Sequence, residues 1–211
     1  MFRYIVIEGP IGVGKTSLTR LLAKEFNARL VLEKPEENPF LPNFYRDRRK
    51  YGFQTQIFFL MNRFQQQKEM AQLELFNQIT LCDYLFAKDR IFASLNLDDH
   101  ELALYEQVFN LLNGQISSPD LVIFLQAKPD VLLHRIKARN ISYEKEIDLE
   151  YLKALTEAYN YYFFHYDRTP LLVVDTSEID FVNRKEDLDQ LIREIKQMKK
   201  GTWYFIPKKS K

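Results

Sequence analysis

The 211-residue chain is short of several things, and each shortage closes off a class of function. It has one cysteine, Cys82, so no internal disulfide can form and a reducing, cytoplasmic setting is expected. An excess of charge of one sign is also missing. Thirty basic side chains against 29 acidic ones leave a net charge of +1, too little for the positive field that a nucleic-acid polymer would require. No apolar run approaches the roughly 18 residues of a membrane span. The first apolar run is too short for a secretory signal and belongs to a motif of its own. His100, His134 and His165 lack metal-ligand spacing, and there is no internal repeat or low-complexity tract. These exclusions leave one domain over 1–211 with a small-molecule ligand, and a hydrophobic content of 46% is ample for its single core.

What is present begins with Tyr4-Ile-Val-Ile-Glu8, a β-branched run that ends in Gly9-Pro10-Ile11-Gly12-Val13-Gly14-Lys15-Thr16-Ser17 and passes directly into a helical pattern. Strand, glycine-rich turn and helix start, with G-x-x-x-x-G-K-T intact, make a phosphate-binding loop. Glycines let successive N–H groups turn inward around phosphate oxygens. The helix N-terminus adds its positive dipole end. Lys15 then reaches the β- and γ-phosphates of ATP, and the Thr16 hydroxyl is placed to ligate Mg²⁺.

Further along, strands are expected at Ala28–Leu32, Gln78–Asp83, Leu121–Leu125 and Leu171–Val174. Helices are expected from Thr16, from Asn38-Pro39 as N-cap and first turn, over Phe53–Phe76, from the Asp98/Glu101 capping box, from Pro129, from Asp148 and over Arg184–Lys199. Arg46–Lys50 reads as a charged connector. In the long helix Ile57, Leu60, Phe64, Ala71 and Leu75 form the apolar stripe. Trp203-Tyr204-Phe205-Ile206 has no assigned place. Five strands alternating with helices argue for an α/β fold, a five-stranded parallel sheet covered on both faces, with a small lid at about 135–148. Functional groups in such folds gather at the carboxyl ends of the strands, which here carry Gly9, Glu33, Asp83, Ala127 and Asp175-Thr176.

Each polar residue on that rim has a rival explanation. Asp83 is either the second Mg²⁺ anchor or a helix N-cap. Glu33 either accepts a proton from an attacking hydroxyl or is one more solvated acid beside Glu36 and Glu37; position does not separate the two. Arg135 and Arg139, four apart on one helix, either meet phosphate oxygens or complement a helix dipole. Gln56 and Arg63 share a helix face, fit for reading a nucleobase edge or merely solvated.

Taken together, these residues closely resemble the deoxynucleoside kinase family from Tyr4 to about Phe181, and most of all a bacterial branch with Glu-Glu-Asn-Pro-Phe-Leu-x-x-Phe-Tyr, present as Glu36 to Tyr45. The resemblance implies a P-loop kinase fold and a set of roles. Glu33 would deprotonate the sugar 5′-hydroxyl, with Tyr45 and Glu144 at the 3′-hydroxyl. Gln56, with Arg63 nearby, would read the base, and Asp89 would lie near where bases are discriminated. Arg135 and Arg139 would serve in the lid, and Asp180-Phe181 would pack on the ATP adenine. Two departures stand out. An acid-Arg-Ser triplet is replaced by Cys82-Asp83-Tyr84, with Arg63 a candidate for the lost guanidinium. The lid carries Arg139-Asn140-Ile141 where relatives show Arg-Gly-Arg, which implies slower turnover or a different closure.

The expected activity is ATP- and Mg²⁺-dependent phosphorylation of a deoxynucleoside, a purine one by analogy with related bacterial enzymes, in a homodimer. The rivals are a monophosphate kinase of the thymidylate kinase type, which needs cations for its acceptor's phosphate, and a nucleotide-binding regulator without catalysis.

Overall fold

The structure, a computed structural model, describes residues 2–72 and 78–206. Its centre is a six-stranded parallel sheet in the order β2-β3-β1-β4-β5-β6. The strands are β1 (Tyr4–Glu8), β2 (Arg29–Val31), β3 (Thr80–Cys82), β4 (Leu121–Gln126), β5 (Leu171–Asp175) and β6 (Thr202–Phe205). β1, β3, β4 and most of β5 are buried, as their unbroken apolar runs require of a parallel sheet covered on both sides. The sixth strand corrects the expected five. The tail segment pairs parallel to β5, Val173 opposite Tyr204, and its faces alternate exposed and half-buried as an edge strand's do.

The helices are α1 (Lys15–Phe26), α2 (Leu41–Phe44), α3 (Arg48–Gln72), α4 (Lys88–Asn96), α5 (Asp99–Asn113), α6 (Pro129–Arg139), α7 (Leu149–Phe164) and α8 (Lys185–Gln197). Several starts follow the expected chemistry. The Asp98 carboxylate accepts from the N–H groups of His100 and Glu101 in a complete capping box, Pro129 opens α6, and the Asp148 carboxylate accepts from the Tyr151 N–H.

Other expectations are corrected. Asn38 does not cap α2. It closes a 3₁₀ turn at Pro35–Glu37, while its side chain accepts from the Phe40 N–H (3.0 Å) and donates to the Thr55 carbonyl on α3 (3.1 Å). The amide thus fastens the loop to the long helix instead of starting a new one. α3 begins at Arg48, so part of the charged connector is helical. In its stripe Leu60 is buried and Ile57 and Phe64 are half-buried, but Ala71 is exposed, and Leu75 and Phe76 lie outside the described residues. The buried face of α3 also carries Thr55, Gln56, Arg63 and Gln67, a polar row that only a site or a partner network can hold there. α4, which has no side-chain cap to announce it, packs between α3 and α7.

Candidate active site

The phosphate loop leaves β1 with Gly9 at φ +152°, where a Cβ would stand 2.4 Å from the Leu125 carbonyl oxygen on the neighbouring strand. Only glycine fits that approach. Lys15 opens α1 and folds its ammonium back over the loop, donating to the carbonyls of Gly9 (2.6 Å) and Pro10 (3.2 Å). Burial and the nearby Lys88 charge pull this ammonium down to about 8.

Two cavities meet at Lys15. One runs along Gly12–Ser17 between Arg135, Arg139 and the segment from Ile179 to Asn183. The other is bounded by Ile11, Lys15 and Glu33 on the loop side and by Tyr45, Gln56 and Arg63 across from them. Lys15 lines both. The second therefore gathers four of the residues singled out for a nucleoside, and the first gathers most of those singled out for ATP.

Glu33 is not the solvated acid of the rival explanation: its side chain keeps 18% of its exposure, and both carboxylate oxygens are taken. Arg63 pairs with one and the Lys88 ammonium with the other at 2.6 Å. Burial alone would push this carboxyl up, but Arg63 and Lys88 outweigh it and hold Glu33 far below the usual carboxylate range. Arg63 is fixed from its other end by Asp89 and lies 4.7 Å from the centre of the Phe59 ring. Asp89 is completely buried behind Arg63 and does not line the cavity. With both ends of its guanidinium committed, Arg63 is a clamp in this structure and has no free fork to offer a phosphate.

Asp83 sits one residue beyond β3. It accepts from the Thr16 hydroxyl at 2.5 Å and from the Glu33 N–H at 2.7 Å, and burial raises its pKa. Its N-cap alternative is not realised, because α4 begins five residues later. Two hard oxygen donors in contact at the mouth of a phosphate loop fit Mg²⁺ held jointly with nucleotide phosphates. Among the described residues no group of three or more His, Cys, Asp or Glu side chains could hold a metal without such help.

On the lid side, Arg135 spans from the Val13 carbonyl (3.3 Å) to the Thr176 carbonyl (2.8 Å), tying α6 to the loop and to the end of β5. Arg139 makes a two-pronged pair with Glu144 at 2.7 and 2.6 Å. Asn140 ends α6 at φ 52°, ψ 40°, the left-handed conformation that a glycine would otherwise supply and that asparagine tolerates best among the rest. Glu144 is buried in the 3₁₀ turn Ser142–Glu146, whose Tyr143 ring stacks on Tyr45 with centroids 6.2 Å apart. Asp180 spends its carboxylate on the N–H groups of Val182 and Asn183, shaping a turn from which Phe181 reaches within 3.0 Å of where a Gly14 Cβ would be.

The side chain that sequence reasoning missed is Lys88. A lysine in the first turn of a short helix is ordinarily solvated, yet this one is 3% exposed. The clue was a Lys88-Asp89-Arg90 triplet set between two apolar runs, Leu85-Phe86-Ala87 and Ile91-Phe92-Ala93. Glu8 was missed as well. Fully buried at the end of β1, it accepts from the Leu85 N–H (2.6 Å) and the Tyr159 hydroxyl (3.2 Å), so it anchors the segment that carries Lys88.

Comparison with known proteins bears on this geometry. A family model described as deoxynucleoside kinase matches residues 5–200. A deoxyguanosine kinase of Bacillus subtilis is 33% identical over 200 residues, covering 92% of this chain and 97% of that one. A deoxyadenosine kinase of Dictyostelium discoideum is 38% identical over 194 residues, covering 90% and 78%. Among solved structures, deoxyadenosine kinase from M. mycoides with dCMP and a flexible dCDP bound superposes with a TM-score of 0.80 at 28% identity, covering 92% of this chain and 99% of that one. The same kinase with bound dATP superposes with a TM-score of 0.79.

Proposed function

This chain belongs to the deoxynucleoside kinase family, and from that premise we propose how its residues divide the work of phosphorylating a deoxynucleoside with ATP for nucleotide salvage. The loop amides from Gly9 to Ser17 and the Lys15 ammonium hold the β- and γ-phosphates. Glu33 accepts the hydrogen bond and then the proton of the sugar 5′-hydroxyl. Tyr45 and Glu144 receive the 3′-hydroxyl, Gln56 reads the base edge, and Asp89 acts on that choice through Arg63. Arg135 and Arg139 exchange Thr176 and Glu144 for phosphate oxygens when the lid closes, and Phe181 with the Asp180 turn flanks the adenine. Thr16 and Asp83 would hold Mg²⁺, which neutralises phosphate charge when bound.

One observation carries the reading: Lys15 stands in the wall between the two cavities, so an acceptor held at Glu33 meets the terminal phosphate of a nucleotide held on the loop. A purine deoxynucleoside is the favoured acceptor, because the Bacillus subtilis and Dictyostelium discoideum relatives described above are named for deoxyguanosine and deoxyadenosine. Purified protein with ATP–Mg²⁺ and a panel of deoxynucleosides and their monophosphates tests this by mass spectrometry of the products. Monophosphates from the purine deoxynucleosides are expected. Diphosphates made only from monophosphates would overturn the reading.

We place the enzyme in the cytoplasm as a homodimer. Exposed Met61 on α3 and exposed Leu104 and Leu111 on α5 offer an apolar face for a second copy. Light scattering that reports a monomer at every concentration would remove the dimer.

A further inference from the structure

The three cations around the acceptor cavity are not equally committed. Arg63 is held at both ends, by Glu33 and by fully buried Asp89, and moving it would strand Asp89 and take from Glu33 one of its two cations. The Lys15 ammonium rests on carbonyls of its own loop. Lys88 differs from both. Among the described residues its ammonium has one ion-pair partner, the Glu33 Oε2 at 2.6 Å, and it hangs on an unbranched stem rooted in the first turn of α4.

That oxygen is also the one an incoming sugar hydroxyl must reach, because Arg63 covers the other. An ammonium turned off its carboxylate inside a buried site requires another anion close at hand. Lys15, which lines the same cavity as Lys88, marks where the nucleotide's terminal phosphate lies.

We propose that Lys88 is a catalytic residue that changes partners during the reaction, yielding the Glu33 Oε2 to the sugar hydroxyl and taking up an oxygen of the transferring phosphoryl group. This rests on Glu33 being the partner of the acceptor hydroxyl. In the transfer, the hydroxyl oxygen bonds to the terminal phosphorus and the bond from that phosphorus to the bridging oxygen breaks. The electron pair of the broken bond leaves with ADP, and the hydroxyl proton passes to Glu33. Lys88 keeps its proton throughout and supplies charge where the phosphoryl oxygens gather it.

The test is a double-mutant cycle on steady-state kinetics with ATP–Mg²⁺ and the best deoxynucleoside, using Lys88→Met, Glu33→Gln and the double variant. Lys88→Met is expected to lower kcat by roughly 10²–10³-fold, the scale of a lost transition-state charge contact, with nucleoside KM little changed. The double variant is expected to be slower again than Glu33→Gln by about tenfold or more, since a cation on the phosphoryl acts whether or not Glu33 is charged. Lys88→Arg should recover part of the loss.

A Lys88 that serves only as counter-ion to Glu33 gives a different pattern. Once Glu33 is neutral, removing Lys88 costs nothing further, and a double variant as fast as Glu33→Gln overturns the proposal. Near-wild-type kcat in Lys88→Met overturns it too. Circular dichroism melts and ATP binding establish that each variant is folded, and Lys88→Gln carries the same expectations should the methionine variant not fold. A wild-type protein that makes no deoxynucleoside monophosphate would be the separate failure of the kinase reading.

Discussion

Removing the Arg63 charge tests the electrostatic arrangement of the site directly. Its side chain is 6% exposed, and each end of the guanidinium meets a carboxylate, Glu33 on the cavity side and Asp89 behind. In Arg63→Met, Glu33 still has Lys88, but Asp89 is left as a fully buried carboxylate with no ion-pair partner among the described residues, only the Lys88 charge nearby. Breaking a buried pair from one side costs about 3–5 kcal/mol. For a chain of this size that lowers Tm by about 6–20 °C. Burial already pushes Asp89 up to about 6 with Arg63 beside it, and without Arg63 it must rise further. The sign follows from linkage. A carboxyl whose folded-state pKa exceeds its unfolded value destabilises the fold above that pKa, and the penalty is relieved as pH falls and the group protonates. The gap between the melting temperatures of wild type and Arg63→Met should therefore narrow from pH 8 to pH 5. Replacing both partners, as in Arg63→Met/Asp89→Leu, should restore most of the stability while leaving kinase activity impaired. Thermal melts of the three proteins across pH, with product assays at neutral pH, decide it. A single variant within about 2 °C of wild type at pH 8, or a double variant no more stable than the single, would refute the argument that Arg63 is clamped by two carboxylates.

Three further outcomes are expected. Glu33→Gln should lower kcat by roughly 10²–10⁴-fold with little change in nucleoside affinity, read from turnover and a binding titration; near-wild-type turnover would remove Glu33 from proton transfer. On the alkaline side, kcat/KM for ATP should fall through an apparent pKa of about 8 as Lys15 loses the charge that meets the phosphates, and a flat profile to pH 10 would contradict that assignment. Gly9→Ala should displace the loop, because its Cβ meets the Leu125 backbone and φ is +152°, so ATP affinity and Tm should drop together.

How much of this was legible in the sequence depended on whether the cause was local. The phosphate loop, the capping box at Asp98 and the buried strand at Leu121 were readable because each is fixed by residues a few positions apart. β6 was not, since its four residues, exposed and half-buried in turn, gain their ladder only from β5, about 30 positions earlier. α4 hid for a related reason: it is held from outside, by the Glu8 carboxylate on the Leu85 N–H of the segment leading into it and by the ion pairs of Lys88 and Asp89 in its first turn. The site divided the same way. That Lys15, Thr16 and Asp83 share one rim could be read from motif and strand ends, whereas the lysine partner of Glu33 could not, because it lies 55 residues away and enters the cavity only once the sheet has formed. Arg63 was placed on the correct helix face, yet its confinement between two carboxylates is a tertiary fact.

The low basicity of Glu33 at rest poses a chemical question that the same geometry answers. A carboxylate held by two cations is a poor proton acceptor, so a mechanism that required it to strip the hydroxyl before bond formation would be slow. Phosphoryl transfer makes no such demand: its transition state is loose, and the nucleophile gives up its proton late. In the proposed transfer Glu33 serves first as an aimed acceptor, and the Arg63 pair together with its backbone N–H on Asp83 aims it. It would serve later as the base, and losing one of its two cations would raise its basicity at that stage. A cation that leaves the carboxylate as the hydroxyl arrives therefore does two things with one movement. It frees the base and delivers positive charge to the phosphoryl oxygens, which is why the proposed exchange of partners by Lys88, set against the fixity of Arg63, should be felt in turnover and not in nucleoside binding.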